Sequence, residues 1–206
     1  MSMTHTLIGT FLPLLGFALA TSASPGPVNA IAAMAGARYG IAVGVGYALG
    51  AAAGFTALLL LTGIGFGGAV ADYPLLTRSM TMLGGAYMLY LAGRIALAPA
   101  DLSSERLSQA PGILAGAVGQ WLNPKAWIVS LSAISLFVAP HSNYASVLAL
   151  FCATYFVVCF FSVAIWACLG RFASRLTGSI GLFNKLMALL IVVSIVYLAV
   201  DFGIRS

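Results

Sequence analysis

The chain has 206 residues, 62% of them hydrophobic and 6% charged, with nine Lys and Arg against four Asp and Glu. A soluble domain carries about 25% charge, so an ordinary soluble enzyme and a disordered chain are both excluded. The net charge of +5 is scattered over single residues, with no basic patch to grip phosphates, which excludes a nucleic-acid binder.

A membrane-spanning helix needs roughly 20 apolar residues, and at about 34 residues per span with its turn the length holds six. No charge precedes Arg38. A secretory signal peptide begins with a basic segment, so Leu7 onward reads as a retained span despite the small residues of Thr21–Ser24. Spans are predicted near 7–34, 41–66, 75–97, 113–138, 145–169 and 184–203. The third is bounded by Asp72-Tyr73-Pro74 and by Pro99. The fourth and fifth share the charge-free run Ala126–Gly170, which Ala139-Pro140-His141-Ser142-Asn143 divides with a turn. Barrel strands alternate over about 10 residues, whereas these apolar runs are long and continuous. The longest polar stretch, Ala98–Pro111, is too short for a soluble domain. The whole of 1–206 therefore reads as one transmembrane domain of an all-α membrane protein.

Orientation follows from Lys and Arg. The loops between spans 1–2, 3–4 and 5–6 carry Arg38, Arg94, Arg106, Arg171, Arg175 and Lys185, and the opposite side carries Arg78 and Arg205. The rule puts the first group inside the cell and both termini outside; if span 1 fails to cross, the N-terminus moves inside. Lys125 belongs to neither group, because it lies within span 4.

The two halves resemble each other. The first span of each carries a proline break, Ser24-Pro25-Gly26-Pro27 in one and Asn123-Pro124-Lys125 in the other. In the third spans, Arg78 is followed 12 residues later by Tyr90-Leu91-Ala92, and Lys185 is followed 12 residues later by Tyr197-Leu198-Ala199. An odd number of spans per half forces the second half to be inverted, a layout used by secondary transporters. The predicted architecture is six transmembrane helices as two inverted three-helix repeats, 7–97 and 113–206, with broken first and fourth helices.

A proline inside a helix lacks an N–H and clashes with the carbonyl four residues back. Pro25, Pro27 and Pro124 are expected to free the carbonyls of Thr21, Ala23 and Gln120. In lipid such groups must be buried in protein or face a watery cavity, and Asn29 and Asn123 add polar groups at the same two places. A kink packed against a neighbouring helix is the plain alternative, and it suffices for Pro13 and Pro74. With span 4 starting near Gly112, Lys125 stands 13 residues in, about 20 Å along the helix, in a hydrocarbon core about 30 Å thick. An ammonium at that depth must face the bundle interior or water; the alternative is a lysine that reaches the interface along a tilted helix.

Several segments resemble one family. Ser24-Pro25-Gly26-Pro27-Val28-Asn29 before a Gly-rich second span is similar to the start of the LysE/RhtB superfamily of amino-acid exporters. Leu83-Gly84-Gly85-Ala86-Tyr87-Met88-Leu89-Tyr90-Leu91-Ala92 resembles that family's third span. Gly119-Gln120-Trp121-Leu122-Asn123-Pro124-Lys125-Ala126 resembles its fourth-span motif, and Asn184-Lys185-Leu186-Met187 the start of its last span. The resemblance covers nearly the whole chain in order. It implies a multi-pass protein of the bacterial inner membrane that exports amino acids or close metabolites, driven by the proton gradient. All four acids lie at span ends, so a small neutral amino acid is the expected substrate. Members often carry an acid after the second-span glycines, where this chain has Phe55-Thr56 after Gly54; a basic substrate is therefore not expected.

Other candidates have plainer roles. Gly36, Gly40 and Gly44, and likewise Gly46, Gly50 and Gly54, are spaced for close helix packing. Tyr87 and Tyr90 are expected at an interface or in packing, sharing a helix face with Gly84 and Leu91. Trp121, Trp127 and Trp166 are expected as packing residues or headgroup anchors. Cys152 and Cys159 share a face of span 5, Cys168 faces elsewhere, and all three read as small apolar residues, because a metal site would need more ligands. His5 and His141 lie at span ends. No phosphate-binding loop and no nucleophile–base–acid set occurs, so neither ATP drive nor catalysis is expected, and no cofactor is implied.

The expected function is secondary active transport through a midplane site built from Ser24, Pro25, Gly26, Pro27, Asn29, Asn123, Pro124 and Lys125. Amides around Val28, Asn29 and Ala126 and the Lys125 ammonium would face a substrate carboxylate; freed carbonyls with Asn29 and Asn123 would meet its amine. The expected partners are an amino acid and the lipid bilayer, with homo-oligomers compatible. Alternatives are an anion or small-solute channel, a metal-ion exporter of the same superfamily, and an accessory subunit without transport of its own.

Overall fold

The computed structural model describes residues 3–66, 110–177 and 180–205, with scattered positions between 79 and 97. The chain forms α1 (Met3–Ala23), α2 (Pro27–Tyr39), α3 (Ile41–Leu61), α4 (Ile113–Trp121), α5 (Pro124–Ala133), α6 (Tyr144–Thr177) and α7 (Ile180–Arg205). A π-helical turn prolongs α3 over Thr62–Phe66, and another prolongs α5 over Ile134–Val138. No strand occurs among the described residues. Most of the third predicted span and of the Ala98–Pro111 loop, including Arg78, Gly84, Leu91, Arg94 and Arg106, lies outside the described residues, as does Pro74. Tyr87 and Tyr90 are described, with ring centroids 6.4 Å apart.

Two helices, Ile41–Gly65 and Tyr144–Leu176, are long and apolar enough to cross a membrane. Two bent pairs reach that length together: Phe11–Ala23 with Pro27–Tyr39, bent by 59°, and Ile113–Trp121 with Pro124–Val138, bent by 70°. Both breaks fall where the prolines stand. Pro27 and Pro124 are not inside helices, however. Each occupies the first helical turn of α2 or α5, where a missing N–H costs nothing and the fixed φ suits the helix.

Several span boundaries differ from expectation, and the first span does not end near 34 but runs on through Arg38, expected in a loop, to Tyr39. The fifth helix does not stop at 169 but runs on through Arg171 and Arg175 to Thr177, a helix of 34 residues and about 51 Å. Gly170 does not end it, because the missing side chain is filled by neighbouring backbone: an added Cβ would run into the carbonyl of Ala33. The last helix begins at Ile180, four residues before Asn184, and runs through Gly181 without a break.

Each broken pair packs on one of the two long helices. α1 and α2 lie against α6, while α4 and α5 lie against α3. Glycine makes this approach possible. A Cβ at Gly36 would collide with the Ala167 backbone, one at Gly50 with the Ile113 backbone, and one at Gly116 with the Tyr47 carbonyl; at Gly54 it would stand 2.6 Å from Ala117 Cα. Gly44 meets Ala167 and Gly36. Gly40 departs from the packing expectation. Nothing lies near it, and its φ of +96° turns the chain between α2 and α3, a conformation that a side chain would strain.

The core between these helices is apolar, with Tyr47, Leu58, Phe151, Tyr155 and Ile191 almost fully buried. Two polar contacts cross between its elements. Thr62 Oγ1 and Ser130 Oγ, both buried, share a hydrogen bond of 2.5 Å, and the Tyr144 hydroxyl donates to the Gly63 carbonyl at 2.5 Å.

Candidate functional site

The first break begins where α1 loses its regular bonding. Gly26 is fully extended, with φ −175° and ψ 175°, and α2 starts at Pro27 without a side-chain cap. In the second break Asn123 caps α5, its Oδ1 accepting from the Lys125 backbone N–H at 3.2 Å. Asn is among the best residues for this position.

The expected free carbonyls are not free. The Thr21 carbonyl accepts from Ser24 Oγ at 3.0 Å, that of Ala23 from the Trp166 indole at 3.1 Å, and that of Gln120 from the Asn123 N–H at 3.1 Å. Asn29 Nδ2 donates to the carbonyls of Ser22 at 2.9 Å and Ser24 at 2.8 Å. In a medium without water, an exposed acceptor is so costly that the nearest donor is recruited. The tryptophans, expected as packing or anchoring residues, supply three such donors: Trp127 bonds the Trp121 carbonyl at 2.8 Å and Trp121 the Gly54 carbonyl at 3.0 Å. Of the amides expected to face a ligand, that of Ala126 is taken by the Asn123 carbonyl at 2.9 Å. Those of Val28 and Asn29 stay at the uncapped start of α2.

The two breaks meet at Lys125. Its Nζ donates to Ser24 Oγ at 2.7 Å and to the Ser24 carbonyl at 3.3 Å. It passes beside Gly26, where an added Cβ would lie 3.5 Å from Nζ. Around this contact lies a cavity of about 40 Å³, room for about three waters. Thr21, Ser22, Asn29, Gln120, Asn123 and Lys125 give it polar walls. Val28, Phe55, Val129 and Val163 give it apolar ones, and Tyr155 and Cys159 stand between the two kinds. None of these lining residues is acidic.

The sequence-derived candidates thus divide by role. Gly26, Asn29, Asn123 and Lys125 line the cavity, and Ser24 holds the lysine across it. Pro25 is exposed, while Pro27 and Pro124 are buried; none of the three lines the cavity, and they act by shaping the breaks. Thr21, Ser22, Phe55, Gln120, Tyr155 and Cys159 were not among the candidates. Cys159, expected as an ordinary apolar residue, lies 3.9 Å from Gln120 Nε2. Its i, i+4 and i+8 spacing with Tyr155 and Val163 is the signal that one face of α6 turns to the cavity.

A run of aromatic contacts leads away from the cavity. Phe55 stacks on Tyr155 with centroids 4.5 Å apart; Tyr155 meets Phe151 edge-on at 5.5 Å; Phe137 joins Phe151 at 6.0 Å and Phe17 at 5.2 Å. The Tyr155 hydroxyl is hydrogen-bonded to Thr21 Oγ1. Phe17, Phe137 and Phe151 all lie on the side of the cavity from which α1 enters. Among the described residues, no three His, Cys, Asp or Glu side chains converge.

Comparison with known proteins supplies the family. The family described as LysE type translocator matches residues 19–206. The chain is 31% identical over 199 residues to the cysteine/O-acetylserine efflux protein of Salmonella paratyphi A, covering 92% of this chain and 96% of that one. The protein of the same name from Escherichia coli K12 gives the same identity and coverage, and that from Salmonella choleraesuis is 30% identical over 198 residues. No solved structure matches the chain. Long apolar helices, two broken pairs and a match over nearly the full length lead to one conclusion: the chain belongs to the LysE type translocator family and is a multi-pass, all-α membrane transport protein.

Proposed function

We propose that the chain is a secondary active exporter of small neutral amino acids or close metabolites in the bacterial inner membrane, with six spans arranged as inverted repeats 7–97 and 113–206. The observation that carries this is the Lys125 ammonium, held by Ser24 between the two helix breaks and facing a cavity whose lining has no acid. A substrate carboxylate takes the place of Ser24 Oγ on Lys125, and the amides of Val28 and Asn29 add the positive end of the α2 dipole. Side-chain acceptors replace the carbonyls first expected to receive the amine: the hydroxyls of Thr21, Ser22 and Tyr155 and the amide oxygen of Gln120. Phe55 and Val163 leave room for a short side chain only. Relatives named as cysteine/O-acetylserine efflux proteins support a small zwitterion of this kind.

The test is counterflow of labelled cysteine, O-acetylserine and lysine in liposomes holding the purified chain. Saturable exchange of the neutral compounds, with lysine at background, is the expected result. Selective lysine exchange would overturn the substrate class, and an ohmic current without saturation would replace the carrier with a channel.

A further inference from the structure

A second polar site lies at the other end of α2, away from the cavity. Gly36 packs against Ala167, and the Arg171 guanidinium donates to the Ala37 carbonyl at 3.4 Å. Phe183 of α7 joins Ala33 and Ala37 in one buried cluster. These contacts bring the end of α2, the last turns of α6 and the first turn of α7 to one corner of the bundle. Arg38 directly follows Ala37, and Asn184 directly follows Phe183.

Both side chains are buried without their due partners. Arg38 is 7% exposed, and its Nη1 has no hydrogen bond. Its guanidinium lies 5.7 Å from the Tyr39 ring centroid, a contact that does not replace an anion. Asn184 is 0% exposed, and neither Oδ1 nor Nδ2 has a partner. A buried unpaired cation is among the most costly groups a fold can carry, and each unsatisfied amide atom adds to the cost. Asp201 offers no help, since it stands 17 positions beyond Asn184 in α7, about 25 Å along the helix. Arg171 is half-buried beside this corner, and exposed Arg175 and Lys185 follow on the same ends of α6 and α7. Arg38, Arg171, Arg175 and Lys185 thus stand on the three helix ends that meet at this corner, where two buried polar side chains have atoms without a hydrogen bond.

The geometry points to a binding site for a phosphate-bearing anion at this corner, filled in the membrane by an anionic phospholipid headgroup. Arg38 and Arg171 receive the phosphate oxygens, with Arg geometry suited to two parallel hydrogen bonds. Asn184 Nδ2 donates to the same group, and its Oδ1 accepts from a headgroup hydroxyl. Arg175 and Lys185 attract the anion from outside, as basic residues beside helix ends do. The site is independent of the cavity at Lys125 and of what is transported there.

The experiment uses the purified full-length chain in a neutral detergent. Short-chain phosphatidylglycerol, phosphatidylcholine and inorganic phosphate are titrated separately, with retained mass by native mass spectrometry and the unfolding temperature as readouts. Phosphatidylglycerol is expected to bind and to raise the unfolding temperature, while phosphatidylcholine does neither. Inorganic phosphate binding as well as the lipid would keep the anion site and assign its source to free phosphate. Arg38→Gln should weaken phosphatidylglycerol at least tenfold, Arg38→Lys less, and Lys185→Gln under threefold. Should Arg38→Gln not fold, Asn184→Leu carries the test. It removes two unsatisfied atoms, so it should unfold at a higher temperature without lipid and yet bind phosphatidylglycerol more weakly. Equal binding of the neutral and anionic lipids, or wild-type affinity in both Arg38→Gln and Asn184→Leu, would overturn the site.

Discussion

At the scale of single residues, the position of Lys125 determines what the site is able to do. Insertion scales put the cost of a lysine at a helix centre at about 2.5–3.5 kcal/mol. Ser24 offsets part of this by accepting hydrogen bonds from the ammonium at its hydroxyl and at its carbonyl. Both are neutral acceptors, so the charge stays uncompensated until an anion arrives. Lys125→Gln should therefore express and fold as well as wild type while losing flux in liposomes. Lys125→Arg keeps the charge but presents a flat, broader donor beside Gly26, and reduced flux with retained substrate binding is expected. Wild-type flux in the Gln variant at matched protein levels would remove Lys125 from the site. Ser24→Ala gives a second reading of the same contact. The lysine loses the shorter of its two resting hydrogen bonds and keeps the one to the carbonyl, so apparent affinity for the substrate should rise by a few-fold while maximal flux falls, measured as concentration dependence of counterflow.

At the scale of elements, the fold depends on where helices approach without side chains between them. Gly50 lies on the Ile113 backbone, whereas Gly16 in α1 has nothing within 4 Å of where its Cβ would stand. Gly16→Ala should be neutral or stabilising, since Ala exceeds Gly in a helix interior by about 1 kcal/mol. Gly50→Ala should lower the unfolding temperature and the monodisperse yield, because a Cβ there requires α3 and α4 to separate. Equal unfolding temperatures for the two variants would mean that the glycine contact carries no load. The two breaks and the lysine between them were legible in the sequence, because proline and a buried charge each impose a local rule with few solutions. The glycine spacings were legible as packing but not as partners: nothing local tells Gly36 to seek Ala167 or exempts Gly40. The further cavity residues were not legible for the same reason. Phe55, Tyr155 and Cys159 look like any core residue, and only the placement of α3 and α6 against the breaks turns them inward. Of the carbonyls read as free, those of Thr21 and Gln120 are taken by donors three residues on, Ser24 Oγ and the Asn123 N–H, which local turn geometry could have supplied; only that of Ala23 is taken from another helix, by Trp166, which nothing local foretells.

At the scale of the whole molecule, the charges define which end faces the cytoplasm. Four of the six cations assigned to one side, Arg38, Arg171, Arg175 and Lys185, lie on α2, α6 and α7 at the corner where Phe183 packs on Ala37. The other two, Arg94 and Arg106, lie outside the described residues. The aromatic run from Phe55 to Phe17 lies on the opposite side of the cavity, towards the start of α1. Cations are retained on the cytoplasmic side of inserted spans, so the basic corner should be cytoplasmic and the aromatic side periplasmic. α7 runs from that corner through Asp201 to Arg205, so its C-terminus should emerge in the periplasm. Fusion of alkaline phosphatase after Ser206 is therefore expected to be active and fusion of green fluorescent protein there dark. A cysteine placed at the exposed position Arg175 should be shielded from an impermeant maleimide in intact cells and become labelled once the membrane is opened. The opposite pattern at both positions would invert the molecule and place the basic corner in the periplasm.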